Sequence, residues 1–213
     1  MRRLAWDHNA HHQRLLLRAL PRSCGRVLEV GCGAGALAVR LAARADHVDA
    51  VDSSAAMVAA ARARAPSNVR VLHDDVLALE LAPGSYDAVV SLTALHHLPL
   101  EPALRHLAAA LRPGGVLAVV ALPAKDLPRE LPVELAAAAA ARLVGLALAA
   151  GRVLGWHGRR SGDPASAGMP VRDAELTVRE VRRRAAEVLP GVRVRRLLFW
   201  RYSLVWHRPG AAG

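Results

Sequence analysis

Residues 27–35 read Val27-Leu28-Glu29-Val30-Gly31-Cys32-Gly33-Ala34-Gly35, and the next apolar run, Val48 to Val51, ends on Asp52. The first run enters three alternating glycines and leaves into a helix-forming stretch, Ala36 to Ala43. That order is a tight strand–turn–helix unit. Each glycine removes a Cβ that would keep a ligand off the backbone and tolerates positive φ where the turn demands it. A carboxylate at the end of the second strand can accept both hydroxyls of a ribose. The unit reads as a nucleoside-cofactor site.

The dinucleotide fingerprint G-x-G-x-x-G/A is met by Gly31, Gly33 and Ala36, a weak match when taken alone. Two details point away from a dinucleotide. Gly35 tightens the loop further, and Glu29 stands in the strand two residues before the first glycine. A pyrophosphate wants helix N–H donors and no carboxylate nearby. A carboxylate suits a ligand with an ammonium group, and S-adenosylmethionine (SAM) carries an ammonium and a sulfonium where a dinucleotide carries phosphates.

Further motifs occur in order along the chain. Val69-Arg70-Val71-Leu72-His73-Asp74-Asp75-Val76 reads as a third strand ending in acids. Ser85-Tyr86-Asp87-Ala88-Val89-Val90-Ser91 reads as a fourth, with Leu95-His96-His97-Leu98 after it. Leu111-Arg112-Pro113-Gly114-Gly115-Val116-Leu117 reads as a helix end, turn and fifth strand. With these, residues 26–122 resemble the class I SAM-dependent methyltransferases, in particular the small-molecule group with a type-11-like methyltransferase domain. The resemblance implies an α/β fold. This is a Rossmann-like three-layer sandwich with a mostly parallel seven-stranded sheet, an antiparallel last strand and a helical insertion after the fifth strand.

The resemblance also implies roles. Gly31, Gly33 and Gly35 would form the loop under the methionine moiety, with Glu29 facing its ammonium through water. Asp52 would take the ribose hydroxyls, and Asp75 the adenine amino group with the Val76 N–H on the ring. Ser53 and Ser91 complete the cofactor-binding candidates. His96 and His97 come after the fourth strand on the ligand side of the sheet and are candidate general bases, as is His12. A base is needed only if the acceptor must lose a proton, because alignment and exclusion of water supply most of the catalysis.

The segment after the fourth strand narrows the acceptor. Leu92-Thr93-Ala94-Leu95 stands where amino-methylating nucleic-acid enzymes of the resembled class carry Asp/Asn-Pro-Pro-aromatic. No Pro-Cys nucleophile of the cytosine-C5 type is present. A small acceptor is favoured, amphipathic if the apolar insertion touches it. An RNA or protein methyltransferase and a non-catalytic SAM-binding partner subunit are the alternatives.

The chain has 213 residues and a formal net charge of +11, with Lys125 its only lysine. Arginine and alanine abundance of this kind also arises from a GC-rich coding sequence. Even so, Arg179, Arg182, Arg183, Arg184, Arg193, Arg195, Arg196 and Arg201 crowd the C-terminal part, and such a patch attracts nucleic acid, anionic lipid or acidic substrates. Aromatic residues make up only 3% of the chain, which weakens base stacking. Cys24 and Cys32 give no disulfide framework or metal spacing, and no apolar core comes after the N-terminal arginines. A cytoplasmic protein without a metal is expected.

One domain is expected, in four parts. Residues 1–22 form an N-terminal cap, in which His12, Leu16 and Leu20 share a helix face. Residues 23–122 form the SAM-binding core. Residues 123–175 form a helical lid, almost wholly apolar from Val133 to Trp156. Arg142 and Arg152 argue against a membrane span there, each costing roughly 2.5–3.5 kcal/mol near the bilayer centre. A lid over an apolar substrate, a peripheral membrane contact and a plain packing helix all fit. Ser161 to Pro170 reads as a loop. Residues 176–208 give a helix, Leu176 to Leu189, and two strands, Val192 to Leu198 and Tyr202 to His207. Strand alternation places Trp200, Tyr202, Leu204 and Trp206 on one face.

Overall fold

Strands that are apolar on both faces must be covered on both faces, and the central strands are of that kind. β1 (Cys24–Val30), β4 (Tyr86–Leu92) and β5 (Leu111–Ala121) are buried almost throughout. The computed structural model of the protein describes residues 8–124, 174–197 and 200–210. In it the strands form one sheet with β2 (Ala45–Asp52), β3 (Val69–His73), β6 (Arg193–Leu197) and β7 (Arg201–His207), in the order β3-β2-β1-β4-β5-β7-β6. β1 to β5 run parallel, and β7 is antiparallel to both β5 and β6. The expected α/β architecture with its antiparallel last strand is present.

Alternation along the strands sorts the core into two layers. Val27, Val48, Val90, Ala118 and Val120 face one side, under α1 (His8–Ala19) and α2 (Ala36–Leu41). Beside them α3 (Ala55–Arg62) packs Val58 and Ala61 over Ala50 and Val71. Leu28, Val30, Val89, Leu117, Val119 and Leu204 face the other side, under α4 (Leu100–Ala110) and α5 (Val178–Val188). The α4 stripe Leu100, Ala103, Leu104, Leu107 and Ala110 is buried at helical spacing. α5 starts at a capping box, in which Thr177 accepts from the Glu180 N–H and Glu180 accepts from the Thr177 N–H.

His12 and Leu16 on α1 and Leu20 just after it are all buried, as their spacing predicts. Arg40 donates to the Gln13 side chain at 2.7 Å and Arg44 to the Leu17 carbonyl at 2.7 Å, tying α1 to α2 and the turn after it. The insertion after β5 leaves and returns at one point, where the Ala124 N–H donates to the Leu176 carbonyl at 2.8 Å. The expected lid helix at 133–156 and the loop at 161–170 lie outside the described residues. So does the segment before α1, residues 1–7. Among the described residues no helix is long and apolar enough to cross a membrane.

Two features depart from what the sequence alone suggests. The first is Trp200, which is not part of the β7 face. It sits in the turn before that strand at φ +52°, 46% exposed, while Tyr202, Leu204 and Trp206 are buried as expected. The second is Asp49, which no motif singles out. It lies buried in β2 and accepts from the Tyr86 hydroxyl at 2.8 Å, with Arg26 at 2.7 Å and Arg70 at 2.9 Å beside it. Burial pushes this carboxyl up, but the Tyr86 hydroxyl and the two guanidinium groups outweigh it and hold the carboxyl below its ordinary range.

A carboxyl lowered by folding stabilises fully above its unfolded pKa, and that contribution disappears as pH falls through the folded value. Asp49→Ala is therefore expected to cost about 1–3 kcal/mol near neutral pH, chiefly through the stranded Tyr86 hydroxyl. Its gap to the wild type should narrow below pH ~4. Chemical denaturation across pH checks both; a gap that stays constant into acid removes Asp49 as the source.

Candidate cofactor site

The carboxyl ends of β1, β2 and β4 and the segment after β3 surround one cleft, where parallel sheets of this kind bind ligands. β1 contributes Val30 and Gly31. From β2 and its helix come Val51, Asp52, Ser53, Ser54 and Met57. Asp74, Asp75 and Val76 come after β3, and Leu92, Thr93, Ala94, His97 and Leu98 come from the end of β4 and the turn beyond it.

The loop after β1 is held by backbone and carboxylate together. The Gly31 and Cys32 N–H groups both donate to the Val51 carbonyl, at 2.8 and 3.0 Å. Asp52 accepts from the Gly33 N–H at 2.8 Å on one oxygen and from the Ser54 N–H at 2.9 Å on the other. One side chain thus joins the loops after β1 and β2. A carboxylate has roughly four acceptor sites, so lone pairs remain for a ligand. Gly31 has φ +71°, and a Cβ there would stand 2.1 Å from the Ala94 Cβ. Glycine is required at that point because two loops touch.

Of the residues expected to bind the cofactor, Gly31, Asp52, Ser53, Asp75 and Val76 line the cleft, and so does His97. Gly33 acts through its N–H on Asp52. Gly35 opens α2 at φ +79°, and a Cβ there would lie 3.1 Å from the Ala61 Cβ, so it serves the contact of that helix start with α3. Ser91 is fully buried, donates to the Val30 carbonyl at 3.1 Å and does not line the cleft. His12 is buried on the inner face of α1 and does not line the cleft either. Asp75 accepts from the Leu77 N–H at 2.9 Å, capping the next turn while still bordering the cleft.

Glu29 is only 2% exposed, and one of its oxygens is buried without a hydrogen-bond partner among the described residues. Burial, with the Asp52 charge nearby, pushes its carboxyl up to about 8. Burial also raises the Cys32 thiol, with Glu29 and Asp52 adding to it. Burial pushes the neighbouring His96 down to about 4, helped by His97 and Arg201.

Thr93 and Ala94 border the cleft without having been assigned a role from sequence. Thr93 adopts φ +60°, uncommon for a β-branched residue and frequent at ligand sites. It is pinned by its own N–H donating to the Val120 carbonyl at 2.7 Å. No sequence signal marks such a conformation at threonine. Ser54 and Met57, at the start of α3 just after Asp52, also line the cleft.

The charge of the lining decides the ligand class. Among the described residues the cleft presents three carboxylates, Asp52, Asp74 and Asp75, and no arginine or lysine. A phosphate-bearing dinucleotide would meet repulsion there, whereas a cationic nucleoside is matched.

Comparison with known proteins agrees. A family profile described as a methyltransferase domain matches residues 27–115, from β1 to the start of β5. An uncharacterized methyltransferase of Mycobacterium tuberculosis is 36% identical over 208 residues, 96% of this chain and 98% of its own. Among solved structures, a putative S-adenosylmethionine-dependent methyltransferase from Listeria monocytogenes aligns with TM-score 0.64 over 94% of this chain and 96% of its own, at 15% identity. The N-methyltransferase NodS of Bradyrhizobium japonicum, in complex with S-adenosyl-L-homocysteine, aligns with TM-score 0.61 at 17% identity, covering 95% and 90%. At such identities these two speak for the fold. The long relative, the matched domain, the sheet order and a cationic-nucleoside cleft together make this chain a member of the class I SAM-dependent methyltransferases, with S-adenosylmethionine as its methyl donor.

Proposed function

We propose that the protein transfers the methyl group to a small acceptor, chiefly by holding donor and acceptor in line. The observation that carries this reading is the acidic cleft at the carboxyl ends of the strands, bounded on its far side by the segment Leu92 to Leu98. SAM supplies a methyl group already activated on a sulfonium. The chain's part is to bind, orient and exclude water.

Asp52 accepts the ribose hydroxyls in this reading, on the lone pairs left by the Gly33 and Ser54 N–H groups. Asp75 is assigned to the adenine amino group and Val76 to the ring, with Ser53 beside the ribose. Gly31 gives the methionine moiety an open backbone surface, and Glu29, protonated at the foot of the loop in the cofactor-free chain, is assigned to the ammonium, whose charge favours its ionised form. His97 borders the cleft and is the histidine assigned to take a proton if the acceptor must lose one. His96, kept neutral by burial, turns to a different cavity.

A nucleic-acid or protein acceptor is disfavoured by what the C-terminal arginines do. Arg182 donates to the Val194 carbonyl at 3.2 Å, Arg183 pairs with Glu187 at 3.0 Å, and Arg184 pairs with Glu101 at 3.5 Å. Three of the eight arginines named above are thus engaged within the fold.

Asp52→Ala is expected to weaken SAM binding at least ~10-fold, since a hydrogen bond to a charged group contributes roughly 1.5–3 kcal/mol. Isothermal calorimetry checks it, and an unchanged affinity would refute the assignment. The second prediction concerns Glu29. Folding raises its carboxyl from 4.5 to about 8, so the folded chain keeps a proton that the unfolded chain gives up. Stability of the cofactor-free protein should fall as pH rises between those values and level off above them. Glu29→Gln is expected to remove that slope in thermal unfolding midpoints; a slope that persists assigns it elsewhere.

A further inference from the structure

A second cavity of about 240 Å³ lies behind the turn after β4, between the start of α4, the first turns of α5 and the start of β7. Its body is apolar, formed by Leu100, Leu122, Leu176 and Val181. His96 and Tyr202 also line it, and Glu101, Glu175 and Arg184 complete its polar part.

The wall between this cavity and the cofactor cleft is the three-residue turn Leu95–His97. Two consecutive histidines take opposite sides of it: His97 borders the cleft and His96 borders the cavity. Their rings touch, with centroids 4.0 Å apart. Leu98, the next residue, lines both spaces. The cavity therefore adjoins the cleft at the cleft's least polar edge, opposite the carboxylates assigned to the nucleoside.

We propose that this second cavity holds the methyl acceptor, a small uncharged molecule with a mostly apolar skeleton and one neutral hydrogen-bonding group, which reaches the cofactor cleft past Leu98. The assignment rests on the methyl-transfer reading above. Size, charge and polarity each support it. The volume falls just below the ~300–1,000 Å³ of small-molecule pockets, which limits the occupant to a compact molecule. Burial pushes the His96 imidazole down to about 4 and the Tyr202 hydroxyl up. Both are therefore uncharged at neutral pH and able to exchange a hydrogen bond with a neutral group. An anion would find among the lining groups only Arg184, which already faces Glu101, and burying it there would be costly. The remaining charges are two carboxylates against one guanidinium, since Arg184 already faces Glu101 at 3.5 Å. That balance turns anions away.

The test uses 1-naphthol as the neutral apolar probe and 1-naphthoate as its anionic counterpart, with the full chain saturated with S-adenosylhomocysteine. Binding is followed by naphthol fluorescence, and nucleoside affinity is measured separately by calorimetry. Saturable 1-naphthol binding is expected, at least ~10-fold tighter than 1-naphthoate. Val181→Trp, which fills the cavity, should lower naphthol affinity at least ~10-fold and leave S-adenosylhomocysteine affinity within about twofold. Ala174→Trp, at the rim and only half-buried, serves if the buried substitution prevents folding. Asp52→Ala should show the reverse pattern, losing the nucleoside and keeping naphthol. Absence of naphthol binding, equal binding of naphthoate, or naphthol affinity unchanged in a tryptophan variant that still binds the nucleoside overturns the proposal. Naphthol binding in a wild-type chain that fails to bind the nucleoside would instead overturn the cofactor reading and leave the cavity standing.

Discussion

The site depends on one carboxylate. Asp52 receives the Gly33 N–H on one oxygen and the Ser54 N–H on the other, so the loops after β1 and β2 are set by the same group. Donors of this kind, bonded to a charged acceptor, are about twice as strong as neutral pairs. The Val51 carbonyl, one residue earlier, takes the Gly31 and Cys32 N–H groups. The end of β2 thereby serves as a template on which the glycine loop is folded, and the loop in turn leaves room for Ala94 from the far side of the cleft.

Burial limits how much charge that template can carry. Glu29, Cys32 and Asp52 lie close enough to disturb one another, and burial would make three anions there untenable. The fold keeps Glu29 and Cys32 protonated. The cleft itself retains its negative character through Asp52, Asp74 and Asp75, on the side assigned to the nucleoside. The opposite edge, from Leu92 to Leu98, is apolar apart from the Thr93 hydroxyl and the two histidines. A cationic nucleoside and an apolar partner would thus meet across a polarity boundary drawn by the ends of β2 and β3 on one side and β4 on the other.

Much of this was legible in the chain. Hydrophobic runs broken by glycine and aspartate at regular points marked the parallel strands, the helices between them, and the residues at the strand ends that face the cleft. Gly31, Asp52, Ser53, Asp75 and Val76 border the cleft because each lies next to the end of a strand, where sequence position and spatial position coincide. The candidates that do not line the cleft are those where they do not. Ser91 sits one pleat too deep and turns its hydroxyl to Val30. Gly35 answers to a contact with Ala61 on another helix. His12 packs into the core because α1 turns that face toward the sheet.

The sequence by itself determined the fold class, the cofactor type and the strand-end groups that border its cleft. Those arise from local periodicity, turn chemistry and the charge of short motifs. Only the tertiary structure decided which polar groups would be buried together. The Asp49 cluster draws Arg26, Arg70 and Tyr86 from three other strands, and the partition of His96 from His97 depends on the packing of α5 and β7 around a turn far from them in the chain. Burial and proximity between distant segments shift a carboxyl or an imidazole by several pH units, and neither is encoded in any single stretch of residues.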